Sequence, residues 1–185
     1  MNVDLLKSRV GAPRVAIANR QRTRNLDLRG LKKIFGAVLA ELEFDQADLG
    51  VVLLGVKEMA SLNERFLGHT GPTDVITFDY RNFDSKVPAG RDAIRRHPAV
   101  RQPKREKRPA QDCPRGEIFI CVPEAERQAR AFGTGWKSEI IRYFIHGVLH
   151  LSGYDDLQPA ARKRMKREEN RLTRKLAVEG RNLAG

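Results

Sequence analysis

Cysteine is nearly missing from this chain: Cys113 and Cys121 are the only two among 185 residues. That is too few for a disulfide framework, so the fold must be held by burial. Cys121 follows the apolar run Ile118-Phe119-Ile120 and reads as a small buried hydrophobe. No apolar run approaches the ~18 residues that a spanning helix needs, so a membrane-crossing segment is not expected. The N-terminal stretch from Met1 to Val10 interleaves Asp4, Lys7 and Arg9 and has no signal-peptide apolar core. The expected compartment is the cytoplasm. Acidic residues are outnumbered, 23 against 35 Lys and Arg, for a formal net charge of +12. Such a surface attracts polyanions, and nucleic acid is the expected partner. The blander alternative is a generally solvated basic surface.

With 41% hydrophobic residues, the chain can bury one core, and residues 1–185 read as a single domain. Arg14 to Asn19, after Pro13, reads as a strand. Leu31, Ile34, Phe35, Val38, Leu39 and Leu42 recur at helical spacing. Leu49 to Val56 is a continuous apolar run, the pattern of a strand buried on both faces. A helix is expected over Lys57 to Phe66, then strands over Thr73 to Tyr80 and Gly116 to Val122. Pro123 suits the first turn of a helix reaching Phe132. Trp136 to Leu151 is apolar around most of its circumference and is expected to be a buried helix. A last helix, from Pro159 to about Ala177, is dense in Arg and Lys. The expected class is α+β: a small mixed β-sheet of about four strands packed by about five helices.

Residues 81–115 break the pattern. Five prolines, Pro88, Pro98, Pro103, Pro109 and Pro114, sit among many Arg and Lys residues. This is expected to be a mobile, basic inserted loop. Arg pairs phosphate through two parallel N–H groups, so the loop and the last helix point toward RNA.

Histidine is scarce too, four in the whole chain, yet His146 and His150 stand four apart in the buried helix. Side chains at that spacing lie on one helix face. Gly153 can then end the helix, and Asp156 can return to the same point. Two imidazoles and a carboxylate with a fourth position open is the ligand pattern of a catalytic zinc site. Asp155 is the alternative third ligand, with Asp156 capping the helix that follows. The blander reading makes both histidines core residues bonded to carbonyls. The spacing H-x3-H-x2-G-x2-D matches the metzincin peptidases except for Asp in place of the last His. Those enzymes place a Glu general base directly after the first His; here that position is Gly147. A metallopeptidase is therefore the weakest functional reading.

The run His146-Gly147-Val148-Leu149-His150-Leu151-Ser152-Gly153-Tyr154-Asp155 resembles the H-G-x-L-H-L-x-G-Y-D-H signature of the YbeY family. Leu62-Asn63 with Pro72-Thr73-Asp74-Val75-Ile76-Thr77-Phe78 resembles that family's L-N and P-T-D-V-L-S-F segments. Gly116 to Cys121 resembles its G-D-I-x-I-C strand. The resemblance runs from about Leu49 to the last helix. It implies a zincin-like metal helix and a zinc-dependent endoribonuclease for single-stranded RNA, acting in 16S ribosomal RNA maturation. One zinc per chain, held by His146, His150 and Asp156, would follow, with other first-row divalent ions as alternatives. RNA of the ribosomal precursor, the ribosome and a ribosomal protein are the implied partners.

Two departures stand out. Asp156 occupies the place of the family's third His, and Leu67 the place of its Arg. Arg65 and His69 are nearby candidates to contact phosphate in that Arg's stead. Asp74 can either bond within its own strand or orient a ligand histidine. The residues leave open whether water or the ribose 2′-OH is the nucleophile. A metal-containing ribosome-assembly factor with little catalysis of its own is the alternative function.

Overall fold

Four short segments rich in β-branched and aliphatic residues pair into one sheet. The computed structural model describes residues 13–81 and 113–181, with side chains to residue 176. The strands are β1 (Arg14–Asn19), β2 (Asp48–Leu54), β3 (Val75–Asp79) and β4 (Arg115–Cys121). Their spatial order is β1-β2-β4-β3. β1 and β4 flank β2 in parallel, and β3 closes the edge antiparallel to β4. The helices are α1 (Leu28–Glu41), α2 (Val56–Leu67), α3 (Val122–Phe132), α4 (Trp136–Leu151) and α5 (Pro159–Arg181). This is the expected α+β class, with four strands and five helices among the described residues.

The apolar run of β2 is explained by helices on both faces of the sheet. Leu49, Val51 and Leu53, with Ile118 and Ile120 of β4, join the larger core with α1, α4 and α5. Phe35 of α1 stacks on Phe144 of α4 with ring centroids 3.8 Å apart, both fully buried. Val52, Leu54, Phe119 and Cys121 point the other way, against Met59 and Leu62 of α2. Each such apolar side chain, fully buried, stabilises the fold by roughly 1.5–3 kcal/mol. Burial of Cys121 in this second core accords with its reading as a small hydrophobe.

Some predicted boundaries move. β3 starts at Val75, because the Asp74 carboxylate accepts from the Thr73 hydroxyl (3.0 Å) and the Val75 N–H (2.9 Å), a local turn just outside the strand. β4 starts at Arg115, which pairs with Asp48 of β2 and so leaves the predicted loop. Val122 belongs to α3. Most of the inserted basic loop, 82–112, lies outside the described residues. No described helix is long and apolar enough to cross a membrane.

Candidate metal centre

Helix α4 lies across the sheet with Gly147 against β4. A Cβ at Gly147 would come within 2.8 Å of Ile118 Cγ2 and 3.0 Å of its Cδ1. The small residue lets the helix settle onto the strand. The same contact explains why no peptidase base stands here: the position faces the core, and a Glu would be driven into apolar packing.

The next residues turn outward. His146 and His150 are partly buried, with side-chain exposures of 27% and 14%. Their rings meet edge to face, and the two Nε2 atoms are 3.0 Å apart. The other ring nitrogens decide what those Nε2 atoms are. Nδ1 of His150 lies 3.2 Å from the Tyr154 carbonyl oxygen, which can only accept. Nδ1 of His146 lies 3.1 Å from Glu169 Oε2. Both Nδ1 atoms are therefore donors, and in the neutral rings both Nε2 atoms present lone pairs. Two lone pairs facing at 3.0 Å repel unless a proton or a cation lies between them.

The turn after α4 completes the cage. Gly153 has φ 89°, a conformation that side chains disfavour, and its N–H donates to His150 O at 3.0 Å. The reversal returns the Tyr154 carbonyl to the His150 ring and brings Asp156 beside it. Asp156 Oδ2 is 3.7 Å from His150 Nε2. Ligand atoms of His146, His150 and Asp156 all lie within 4.8 Å of one another, close enough to share one ion. Asp155 instead accepts the Leu157 N–H at 3.2 Å. Two neutral imidazoles and a carboxylate suit a first-row divalent cation and leave room for a further ligand.

Glu169 of α5 was not legible as a site residue. It is buried, 4% exposed. Besides His146 it accepts from Arg142 Nη1 at 2.9 Å and Lys166 Nζ at 2.6 Å. Burial pushes its carboxyl up, but the hydrogen bonds from His146 and Lys166, the Lys166 charge and the Arg142 hydrogen bond outweigh it. The group is held down at about 2. An ionised carboxylate thus fixes the tautomer and orientation of His146. One signal existed: Met165, Glu169, Leu172 and Leu176 share a face of α5, and Glu169 is the acid on that otherwise apolar, buried stripe.

His69 is not among the side chains gathered at the cage. Arg65 sits on α2 beside a crevice on the other face of the sheet. His69 lies in the α2–β3 turn, where its N–H reaches Asn63 O at 3.4 Å. Leu67, in the place of the family's Arg, is 38% exposed. Asp74 bonds locally, to Thr73 and Val75 at the entry to β3.

A histidine helix carrying an open His–His–Asp centre, laid on a mixed four-stranded sheet, defines the class of protein. Residues 16–177 match the family model described as Endoribonuclease YbeY. A protein of that name from Chlorobium phaeovibrioides is 32% identical over 148 residues, covering 80% of this chain and 81% of its own length. One from Elusimicrobium minutum is 30% identical over 140 residues, covering 76% and 82%. One from Mycobacterium marinum is 36% identical over 134 residues, covering 72% and 66%. The solution structure of TM1509 from Thermotoga maritima shares the fold, with a TM-score of 0.58 at 23% identity, over 92% of this chain and 94% of that one. The chain belongs to the YbeY family.

Proposed function

We propose that this chain is a single-domain, metal-dependent endoribonuclease that cuts single-stranded RNA, with ribosomal RNA precursor as its substrate. The observation that carries the reading is the opposed pair of Nε2 lone pairs beside the Asp156 carboxylate, in a chain whose relatives are named endoribonucleases. One zinc ion per chain is the proposed occupant, and cytoplasm the proposed compartment. When bound, such an ion supplies a Lewis acid for a phosphoryl oxygen and lowers the pKa of water toward neutrality.

The chain's own residues have separate tasks. His146 and His150 offer Nε2 to the ion, and Asp156 offers an oxygen. Glu169 and the Tyr154 carbonyl hold the two rings by their Nδ1 protons. A carboxylate in place of a third imidazole lowers the charge of the centre, so this site acidifies water less than a three-histidine one would. Arg162, whose Nε donates to the Asp156 carbonyl at 2.8 Å, puts a cation beside the third proposed ligand, available to a phosphate bound there. His69 and Arg65 stay as proposed phosphate contacts, Arg65 remote from the cage.

A peptidase reading has no support from Gly147, whose position faces the core. The assembly-factor alternative, binding the ribosome or a ribosomal protein without cutting, is the one to test against. Purified single-stranded RNA is incubated with metal-loaded protein and with a His146→Ala control. Cleavage by the first and none by the second is the expected result. Equal yields from both would overturn the nuclease assignment.

A further inference from the structure

The second face of the sheet carries a feature that the metal centre does not use. β1 and β2 are parallel neighbours whose outgoing connections part company: the chain after β1 enters α1 in the larger core, and the chain after β2 enters α2 in the smaller one. In open sheets a crevice outside the carboxyl ends of two such strands is the general place for ligands. A cleft of about 280 Å³ lies there, between Arg20 just past β1, Leu54 at the end of β2, and Lys57, Glu58, Ser61, Leu62 and Arg65 of α2. Pockets for small ligands begin at about 300 Å³, so the cleft lies at the small end of that range and can seat no more than one nucleotide unit, part of it left in solvent.

The cleft's rim is built. Gln21 is 6% exposed. Its carbonyl oxygen accepts from the Thr23 N–H (2.8 Å), the Thr23 hydroxyl (2.8 Å) and the Arg24 N–H (2.9 Å), and its amide donates to Arg24 O (2.8 Å). The N–H groups of Arg20 and Gln21 both reach Leu53 O, at 2.9 and 3.1 Å. The loop after β1 is thereby pinned to the end of β2 with Arg20 at the rim. Arg20 pairs with Glu58 at 2.6 Å, in the open, where such a pair contributes little. Among the described residues no carboxylate pairs with Lys57 or Arg65; the Arg65 guanidinium lies over the Phe66 ring, 5.3 Å from its centre. The floor, Leu54 and Leu62, is apolar.

We propose that this crevice binds a nucleotide: its phosphate on Lys57, Arg65 and the Ser61 hydroxyl, its sugar and base over Leu54 and Leu62. The nucleotide belongs to an RNA strand whose cleaved bond lies elsewhere; that part rests on the endoribonuclease reading. α2 and α4 lie on opposite faces of the sheet, so the crevice is a second anchoring point, separate from the cage.

The test is the full chain against a Lys57→Ala/Arg65→Ala double variant. A fluorescent oligouridylate is titrated across a salt series, and 5′-AMP is titrated separately with the Ser61 amide followed by NMR. Loss of that phosphate contact predicts a several-fold weaker RNA complex and a salt slope smaller by about 0.7. Equal metal uptake by both proteins certifies the variant's fold. An unchanged RNA slope together with no AMP response would overturn the proposal. An AMP response that the variant loses, with RNA binding untouched, would assign the crevice to free nucleotide and overturn its RNA role. Crevice-dependent binding of RNA that is never cut would support the crevice and sink the nuclease reading alone.

Discussion

Glu169 decides more about the candidate centre than any residue beyond the three proposed ligands. It is one side chain with three donors, His146, Arg142 and Lys166. Changing it to Gln keeps the size and an acceptor but removes the charge that favours a donating His146 Nδ1. Metal affinity should fall roughly 10–100-fold, the usual effect of losing a partner behind a ligand histidine. Competition with a chromophoric chelator measures this, and an unchanged affinity would show that Glu169 serves packing only. The contrast between Glu169 and the ligands shows what is legible one residue at a time. His146, His150 and Asp156 announce themselves by spacing, because helix periodicity and a glycine turn are local. Glu169 is set by how two helices cross, and its charge is camouflaged by the many charges around it. Arg65 was legible as a cation, but not the face of the sheet it serves.

At the scale of elements, the seat of α4 on β4 is the critical contact. Gly147→Ala would force a Cβ to within 2.8 Å of Ile118. Overpacking of this kind costs about 1–3 kcal/mol, which urea denaturation would read as a lower midpoint; a neutral result would mean the helix slides without penalty. The sheet carries its own titration. Glu117 of β4 is 9% exposed and accepts the Tyr80 hydroxyl at 2.8 Å. Burial raises its carboxyl, against a smaller lowering by that hydrogen bond. The folded state thus holds the proton more tightly than the unfolded state. Its contribution is present in acid and is lost as pH rises from the ordinary carboxylate value through the folded one. Glu117→Gln removes the slope, so the variant should gain stability over the parent as pH climbs through that window. A constant difference between the two at all pH values would rule this out. The elements themselves were readable from apolar period; α4 spans Trp136 to Leu151, although Lys137 or Ser138 was the expected first residue of the helix. Strand ends were less so, since β4 extends to Arg115 where Asp48 pairs with it on one side and the Tyr80 N–H reaches its carbonyl on the other.

On the proposed reading, the whole molecule separates grip from chemistry. Its net charge of +12 is spread over surfaces such as α5, while the cage occupies one end of α4. Stripping the metal with a chelator should abolish cleavage and leave RNA affinity nearly intact, measured by anisotropy on the same preparation. RNA affinity that vanished with the metal would mean that the ion itself holds the strand. The strand order β1-β2-β4-β3 was not readable from local pattern. It arises from which faces two cores can cover, a property of the assembled sheet, and it is what opens the crevice beside α2. The cage tests most directly by anomalous scattering from crystals of metal-loaded protein, collected at the absorption edge of the ion. One peak is predicted, bounded by Nε2 of His146, Nε2 of His150 and the Asp156 carboxylate. No peak there at saturating metal, with the three side chains turned apart, would contradict the account.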